Sequence, residues 1–216
     1  KAYLGSQTAI VAITAPKLAG AVLDLDVAVA SKSGHKLPTA YPSRRVWLHV
    51  TVTDTAGAVL FESGALRADG AIVGNDNDVD AAKFEPHYDE IRSADQVQIY
   101  ESIMVDQHDQ VTTGLLRALR YAKDNRLLPR GFDKTTAEPD VAVQGAAAQD
   151  PNFVAGGDTV RYRLDLGRRP AGAVRVAAEL MYQTVGYRWV ENLRAYDAPE
   201  SQRFVRYYSE SIAGTA

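Results

Sequence analysis

Alternation of apolar and polar residues with a period of two recurs along this chain and limits the folds open to it. In Ala21–Ala30, apolar side chains occupy every second position from Leu23, while Asp24 and Asp26 lie between them. Successive side chains of a β-strand point to opposite faces, so this period predicts a strand with one buried face. The same reasoning predicts five strands, at 21–30, 46–53, 96–105, 158–166 and 173–184.

These strands are expected to form two packed sheets. Their inward positions would include Leu23, Leu25, Val27, Leu48, Val50, Val52, Ile99 and Leu180. We therefore predict an all-β fold, a β-sandwich of immunoglobulin-like or jelly-roll-like type with short helical and long loop insertions, formed by residues 1–216 as a single domain.

The connections between the strands are read from turn signals. A turn at 54–57 predicts that 58–62 returns as the hairpin partner of 46–53, and the segment 168–172 predicts a second hairpin, between 158–166 and 173–184. Helices are expected at 115–128 and 199–209, although the first of these segments is also compatible with a strand plus a turn. Residues 133–157 are expected to form a long loop.

Composition excludes several classes of function. The chain has no cysteine, which rules out disulfides, cysteine-ligated zinc, iron–sulfur clusters, thiol catalysis and the CxxCH motif that attaches haem covalently. Its net charge of −3 gives no general reason to expect nucleic acid as a partner. No apolar run is long enough to predict a membrane span. The usual catalytic and nucleotide-binding motifs are absent as well, so the sequence predicts no catalytic residues.

Charge is concentrated in one segment. Residues 69–109 contain eleven acidic residues against two basic ones. Within them, Asp76, Asp78 and Asp80 alternate, and Glu85 and His87 follow. Carboxylates that converge in a curled loop hold hard cations, so the five residues are a candidate metal site, with calcium expected at the carboxylates. Glu85 and His87 could instead complete a site for a transition metal. The full EF-hand pattern is not met, and a solvated acidic loop is the alternative.

The segment 34–48, GHKLPTAYPSRRVWL, lies between two predicted strands. Its two prolines restrict the shape of the loop and could hold His35 at the fixed geometry that a metal ligand requires. From the residue types alone, an ordinary surface histidine in a rigid crossover is the simpler interpretation.

The same segment resembles the GHxxPTG-type segment of extracytoplasmic multihaem c-type cytochromes. The similarity continues through Trp47–Val50, Phe61–Gly64, Gln98–Glu101 and Lys123–Phe132, and covers about residues 34 to 195. Ala40 replaces the usual glycine of the motif. The resemblance implies a β-rich domain that accompanies the haem-bearing region of such a cytochrome, in the periplasm or at the cell surface.

The resemblance also implies roles for individual residues. His35 would be a distal axial ligand of a haem c carried elsewhere, and Lys36, Arg44 and Arg45 could face the haem propionates. The chain begins at Lys1 without an initiator methionine, so we expect it to be a piece of a longer multihaem protein. The expected partner is the haem-bearing region of the same polypeptide or a redox partner protein.

Two other functions remain open. The aromatic residues that crowd the last 35 positions could recognise a glycan or a protein in a binding module with structural calcium, although core packing is the simpler explanation of such a set. An enzyme that uses the acidic segment is the third possibility. CxxCH motifs in the full-length sequence would separate the cytochrome hypothesis from both.

Overall fold

The computed structural model describes residues 5, 7–167 and 170–213, and strands dominate them. The strands are β1 (Ala9–Ala19), β2 (Val22–Ser31), β3 (Arg45–Thr53), β4 (Val59–Ser63), β5 (Glu90–Ile91), β6 (Ile99–Tyr100), β7 (Ser102–Val105), β8 (Val111–Thr112), β9 (Arg120–Asp124), β10 (Gly157–Asp165) and β11 (Arg175–Gln183). The helices are α1 (Asp76–Val79), α2 (Tyr187–Arg194) and α3 (Pro199–Ala213), with a 3-10 turn at Ala146–Ala148. The predicted all-β fold with helical insertions is confirmed.

The strands form two larger sheets and a small one. The first sheet has the order β1-β2-β10-β5, in which β5 runs parallel to β10 and the other neighbours are antiparallel. The second has the order β11-β3-β4, with β6 paired to the start of β3. The small sheet has the order β8-β7-β9. The predicted β3–β4 hairpin is therefore present.

One hydrophobic cluster joins the two larger sheets. It contains Leu23, Leu25, Val27 and Val29 from β2, Val46, Leu48, Val50 and Val52 from β3, and Val160, Tyr162 and Leu164 from β10. Six of the eight predicted inward residues are buried in this cluster, and Leu180 is half-buried against it. Ile99 is buried instead in a second cluster, with Trp47, so its predicted place between the two sheets is wrong. The alternating patterns thus identified the inward faces of β2, β3 and β11 correctly.

The opposite face of β3 has a core of its own. Trp47 packs there against Ile72, Val97 and Ile99, and its indole Nε1–H donates to the Gly64 carbonyl at 2.8 Å. Burying both faces of β3 explains why a tryptophan is tolerated on the polar side of the alternation.

Three expectations need correction. The hairpin between 158–166 and 173–184 is wrong, because β10 pairs in the first sheet and β11 in the second; Arg168 and Arg169 of its proposed turn lie outside the described residues. The segment 115–128 is not a helix but a turn followed by β9, which was the alternative. The strand at 96–105 divides into β6 and β7 at Glu101, whose backbone N–H donates to Asn125 Oδ1 at 3.0 Å.

The remaining expectations on local structure are confirmed. The helix expected at 199–209 is present as α3, and 133–157 is a long connection that contains the 3-10 turn. Within the described residues, every helix is too short or too polar to span a bilayer.

Candidate functional site

His35 lies on the surface, in the connection between β2 and β3. Its backbone N–H donates to Ser33 Oγ at 3.3 Å, which fixes the main chain before the ring. Beyond it, Leu37 exchanges two backbone hydrogen bonds of 2.9 Å with Leu127. The imidazole itself is exposed and has no hydrogen bond, ion pair or ring contact among the described residues. The main chain at His35 is therefore held in place, while its imidazole has no partner among the described residues.

Lys36 faces inward beside this histidine. Its Nζ lies 2.8 Å from Asp124 Oδ2, and Arg126 contacts the same carboxylate at 2.7 Å. Burial lowers the pKa of Lys36 below its ordinary value, against the opposing influence of Asp124. Burial alone would raise the pKa of Asp124, but Arg126 and Lys36 outweigh it and hold the pKa below the usual range. The Lys36–Asp124 ion pair thus holds the His35 segment against the end of β9.

The two arginines of the segment lie in different environments. Arg44 is half-buried and its Nη1 donates to the Thr39 carbonyl at 2.9 Å. Arg45 is buried, and its guanidinium contacts both carboxylate oxygens of Asp78, at 2.8 and 2.9 Å. The structure therefore brings Arg45 to the acidic segment and leaves Arg44 with His35 on the exposed loop.

The five candidate ligands of the acidic segment do not form one group in the structure. Asp78 is paired with Arg45, whereas Asp76 and Asp80 are exposed and Asp80 Oδ1 accepts from Ala82 N at 2.9 Å. The buried Glu85 accepts from the backbone of Asp76 and from the hydroxyl of Tyr88. Burial raises the pKa of Glu85 above its ordinary value. Calcium binding by this segment stays a prediction, with no converging set of oxygens among the described residues.

His87 joins a different group, which the sequence did not identify. Its ring is 1% exposed, and Nε2 lies 3.0 Å from Asp150 Oδ2 and 3.9 Å from Asp158 Oδ2. Asp158 Oδ2 also accepts from the hydroxyl of Tyr100 at 2.8 Å. Phe153 packs edge-on against the imidazole, with 5.0 Å between ring centroids. One histidine and two carboxylates at these distances have the spacing of a metal centre.

The hydrogen bonds on the other side of the ring decide between a metal centre and a hydrogen-bond network. Nδ1 faces the amide nitrogens of Gln98, at 2.8 Å, and Asn125, at 3.0 Å. Backbone partners fix the orientation of both amides, because Tyr88 N–H donates to the Gln98 oxygen and Glu101 N–H donates to the Asn125 oxygen. Nδ1 must therefore be the acceptor.

It follows that the ring proton of His87 is on Nε2, where it is donated to Asp150. A metal bound at Nε2 would require that nitrogen to be unprotonated and would place a proton on Nδ1, opposite two N–H donors. The residues present thus fit a buried hydrogen-bond network better than a metal centre. Burial raises the pKa of Asp158 above its ordinary value, as expected for a carboxyl in this network.

The remaining two histidines have ordinary surroundings. His49 lies on the outer face of β3, with its ring nitrogens 2.9 Å from Glu62 and 3.6 Å from Glu179. His108 is exposed, with Nε2 3.1 Å from the side-chain amide of Gln107. Among the four histidines, His35 is thus the one with an exposed ring and no partner among the described residues.

The fold places the chain among all-β proteins of two larger sheets, and comparison with known proteins adds one particular likeness. No protein-family model matches the chain, and no curated protein matches it. Among solved structures it is similar to a penta-heme cytochrome c552 from Thermochromatium tepidum, with 17% sequence identity and a TM-score of 0.52. The match covers 93% of this chain and 37% of the cytochrome chain. At this identity the likeness shows the fold, and the chain spans little more than a third of the length of that cytochrome.

Proposed function

We propose that this chain is an accessory domain of a multihaem c-type cytochrome that transfers electrons, and that it supplies His35 as a distal axial ligand to a haem carried outside it. The shared fold supports this proposal, because 93% of this chain matches a part of a much longer penta-heme cytochrome chain. The GHxxPTG-like segment around His35 gives independent support from the sequence.

The observation that carries the proposal is that the His35 ring is exposed and has no partner among the described residues. An axial ligand must reach the iron from a backbone that holds it in place, and its ring must not be occupied by another partner. His35 meets these conditions, since Ser33, Lys36 and Leu37 fix the main chain around an exposed imidazole. The other buried or partnered histidines do not meet them.

The environments of the three cations of this segment limit which of them could contact a haem propionate. Arg45 takes no part, because its guanidinium is buried against Asp78, and Lys36 is engaged by Asp124. Arg44 remains as the cation of the segment that could reach a propionate, through the donors that do not contact Thr39.

The division of roles follows from composition. The haem supplies the redox-active iron, while this chain, which has no cysteine to attach one, orients a ligand and shields the cofactor. A second imidazole on the iron would close its open position and suit it to electron transfer. Because c-type haem is attached outside the cytoplasmic membrane, the proposed location is periplasmic or extracellular.

The presence and position of the haems test the proposal. The full-length polypeptide that contains this chain, produced in a host that attaches haem c, should give the pyridine haemochrome spectrum of c-type haem. Mass spectrometry of its peptides should place several haems outside residues 1–216, since CxxCH is required for attachment. A full-length protein with no haem c, and with none in a tightly associated subunit, would contradict the proposal.

A further inference from the structure

The turn between β8 and β9 exposes leucines to an unusual degree. Leu115, Leu116 and Leu119 are 45%, 103% and 70% exposed, so Leu116 has no shelter from the rest of the described chain. Single exposed apolar residues are common on protein surfaces, but three within five positions form a contiguous patch. Such a patch indicates a surface that another body covers.

An aromatic groove of about 1000 Å³ continues this patch. Trp189 and Tyr41 lie in it with their ring centroids 5.9 Å apart, and Tyr196 and Phe204 complete its aromatic lining. Tyr41 and Tyr196 are 51% and 62% exposed. We call the turn and the groove together the leucine–aromatic face.

The leucine turn carries no free charge of its own. Arg120 lies 2.7 Å from Asp109, Arg117 lies 3.6 Å from Asp106, and the buried Lys123 lies 3.0 Å from Glu101. Arg44, which lines the groove, forms no ion pair among the described residues and donates to the Thr39 carbonyl through Nη1 alone. An apolar and aromatic face with one such cation complements a partner that is apolar with anionic groups at its rim, and a haem edge with its propionates has this chemistry.

The face is also continuous with the His35 segment. Tyr41 and Arg44 line the groove and belong to the same connection between β2 and β3 as His35. Arg44 further lines a neighbouring apolar cavity of about 650 Å³, which includes Leu37 and Pro38. Residues 35–44 of one connection therefore carry both His35 and two residues of the leucine–aromatic face.

We infer that the leucine–aromatic face is the surface through which this chain packs against the haem-bearing region of the same polypeptide. The inference rests on the proposed function and adds to it the interface, with Leu116 at the centre of the contact. The structure similar to this chain is about two and a half times as long, so such a region is available to cover the face in a protein of that kind.

Cysteine accessibility tests the inference in the full-length holoprotein. The chain has no native cysteine, and haem-bound cysteines are thioethers, so Leu116→Cys introduces one free thiol into this region. Val79→Cys is the matched control, because Val79 is 84% exposed and is not among the residues that line the groove. We expect a maleimide to label Leu116→Cys about tenfold or more slowly than Val79→Cys in the native protein, and equally fast after denaturation.

The mass of the labelled species identifies what covers the residue. Protection in a monomer means that the same polypeptide covers Leu116, since the described part of this chain leaves it fully exposed. Protection confined to a dimer would overturn the inference in favour of a second copy, and rapid labelling of the monomer would overturn it outright. Leu119→Cys repeats the test should the first variant fail to fold. In each case an unchanged haem content shows that the proposed function stands independently.

Discussion

Replacing Arg45 with alanine is expected to destabilise this chain by about 3–5 kcal/mol, the largest loss that we predict for a single side chain. The guanidinium forms a two-pronged pair with Asp78, and the two side chains are 4% and 1% exposed. Its Nε also donates to Gln183 at 2.7 Å, and Nη2 donates to the Gly70 carbonyl at 3.2 Å. The residue thus connects β3 to α1 and to β11.

The cost arises because Asp78 would remain buried without its cation, with the Ile72 N–H as a remaining donor to its carboxylate. Urea denaturation followed by tryptophan fluorescence measures the change in unfolding free energy. Arg67→Ala is the matched control, since Arg67 pairs with Asp69 at 3.3 Å on the surface and should cost less than about 1 kcal/mol. Equal losses in the two variants would show that the buried pair does not hold the helix to the sheet.

Replacing His87 with alanine is expected to cost about 2–4 kcal/mol, from the cavity that it leaves and from unpaired buried polar groups. Asp150 would lose the Nε2–H donor at 3.0 Å. Gln98 and Asn125 would lose the acceptor to which both amides point. His49→Ala removes a half-exposed histidine with surface partners and should cost less than about 1 kcal/mol.

Chelation separates the two interpretations of the His87 group. A hydrogen-bond network contains no ion, so 1,10-phenanthroline, which removes transition metals and leaves calcium in place, should not change the melting temperature of the wild-type chain, and elemental analysis should find no stoichiometric transition metal. A lower melting temperature with this chelator, restored by one transition-metal ion per chain, would mean that a metal occupies His87, Asp150 and Asp158 despite the two amide donors at Nδ1.

The strands were predictable because their signal is local. In β2 and β3, every second residue is apolar, and those residues are the ones buried between the sheets. Pairing was harder to predict, because alternation does not say which sheet a strand joins. The segments at 158–166 and 173–184 have the same pattern, yet β10 pairs with β2 and β11 pairs with β3.

The candidate sites also differ in how far the sequence alone could predict their surroundings. The exposure of His35 was predictable because connections between strands run over the surface, whereas the environment of each acidic residue depends on residues distant in the sequence. Asp78 is paired with Arg45, 33 positions away in the sequence, and His87 is hydrogen-bonded to Asp150, 63 positions away. One local signal for the His87 group was present: Asp158 shares the inward face of β10 with three buried apolar residues, Val160, Tyr162 and Leu164. A carboxylate in that position requires buried donors.

The most direct test of the central proposal is the spectrum of the His35→Ala variant in the full-length holoprotein. Electron paramagnetic resonance and absorption spectroscopy report the spin state of each haem, and redox titration gives its midpoint potential. We predict that one haem loses its low-spin, two-imidazole signature and shifts in potential, while His108→Ala, which removes another exposed histidine, changes neither. If every haem stays six-coordinate with its potential unchanged in the His35→Ala variant, His35 is not an axial ligand and the ligand role assigned to this chain is wrong.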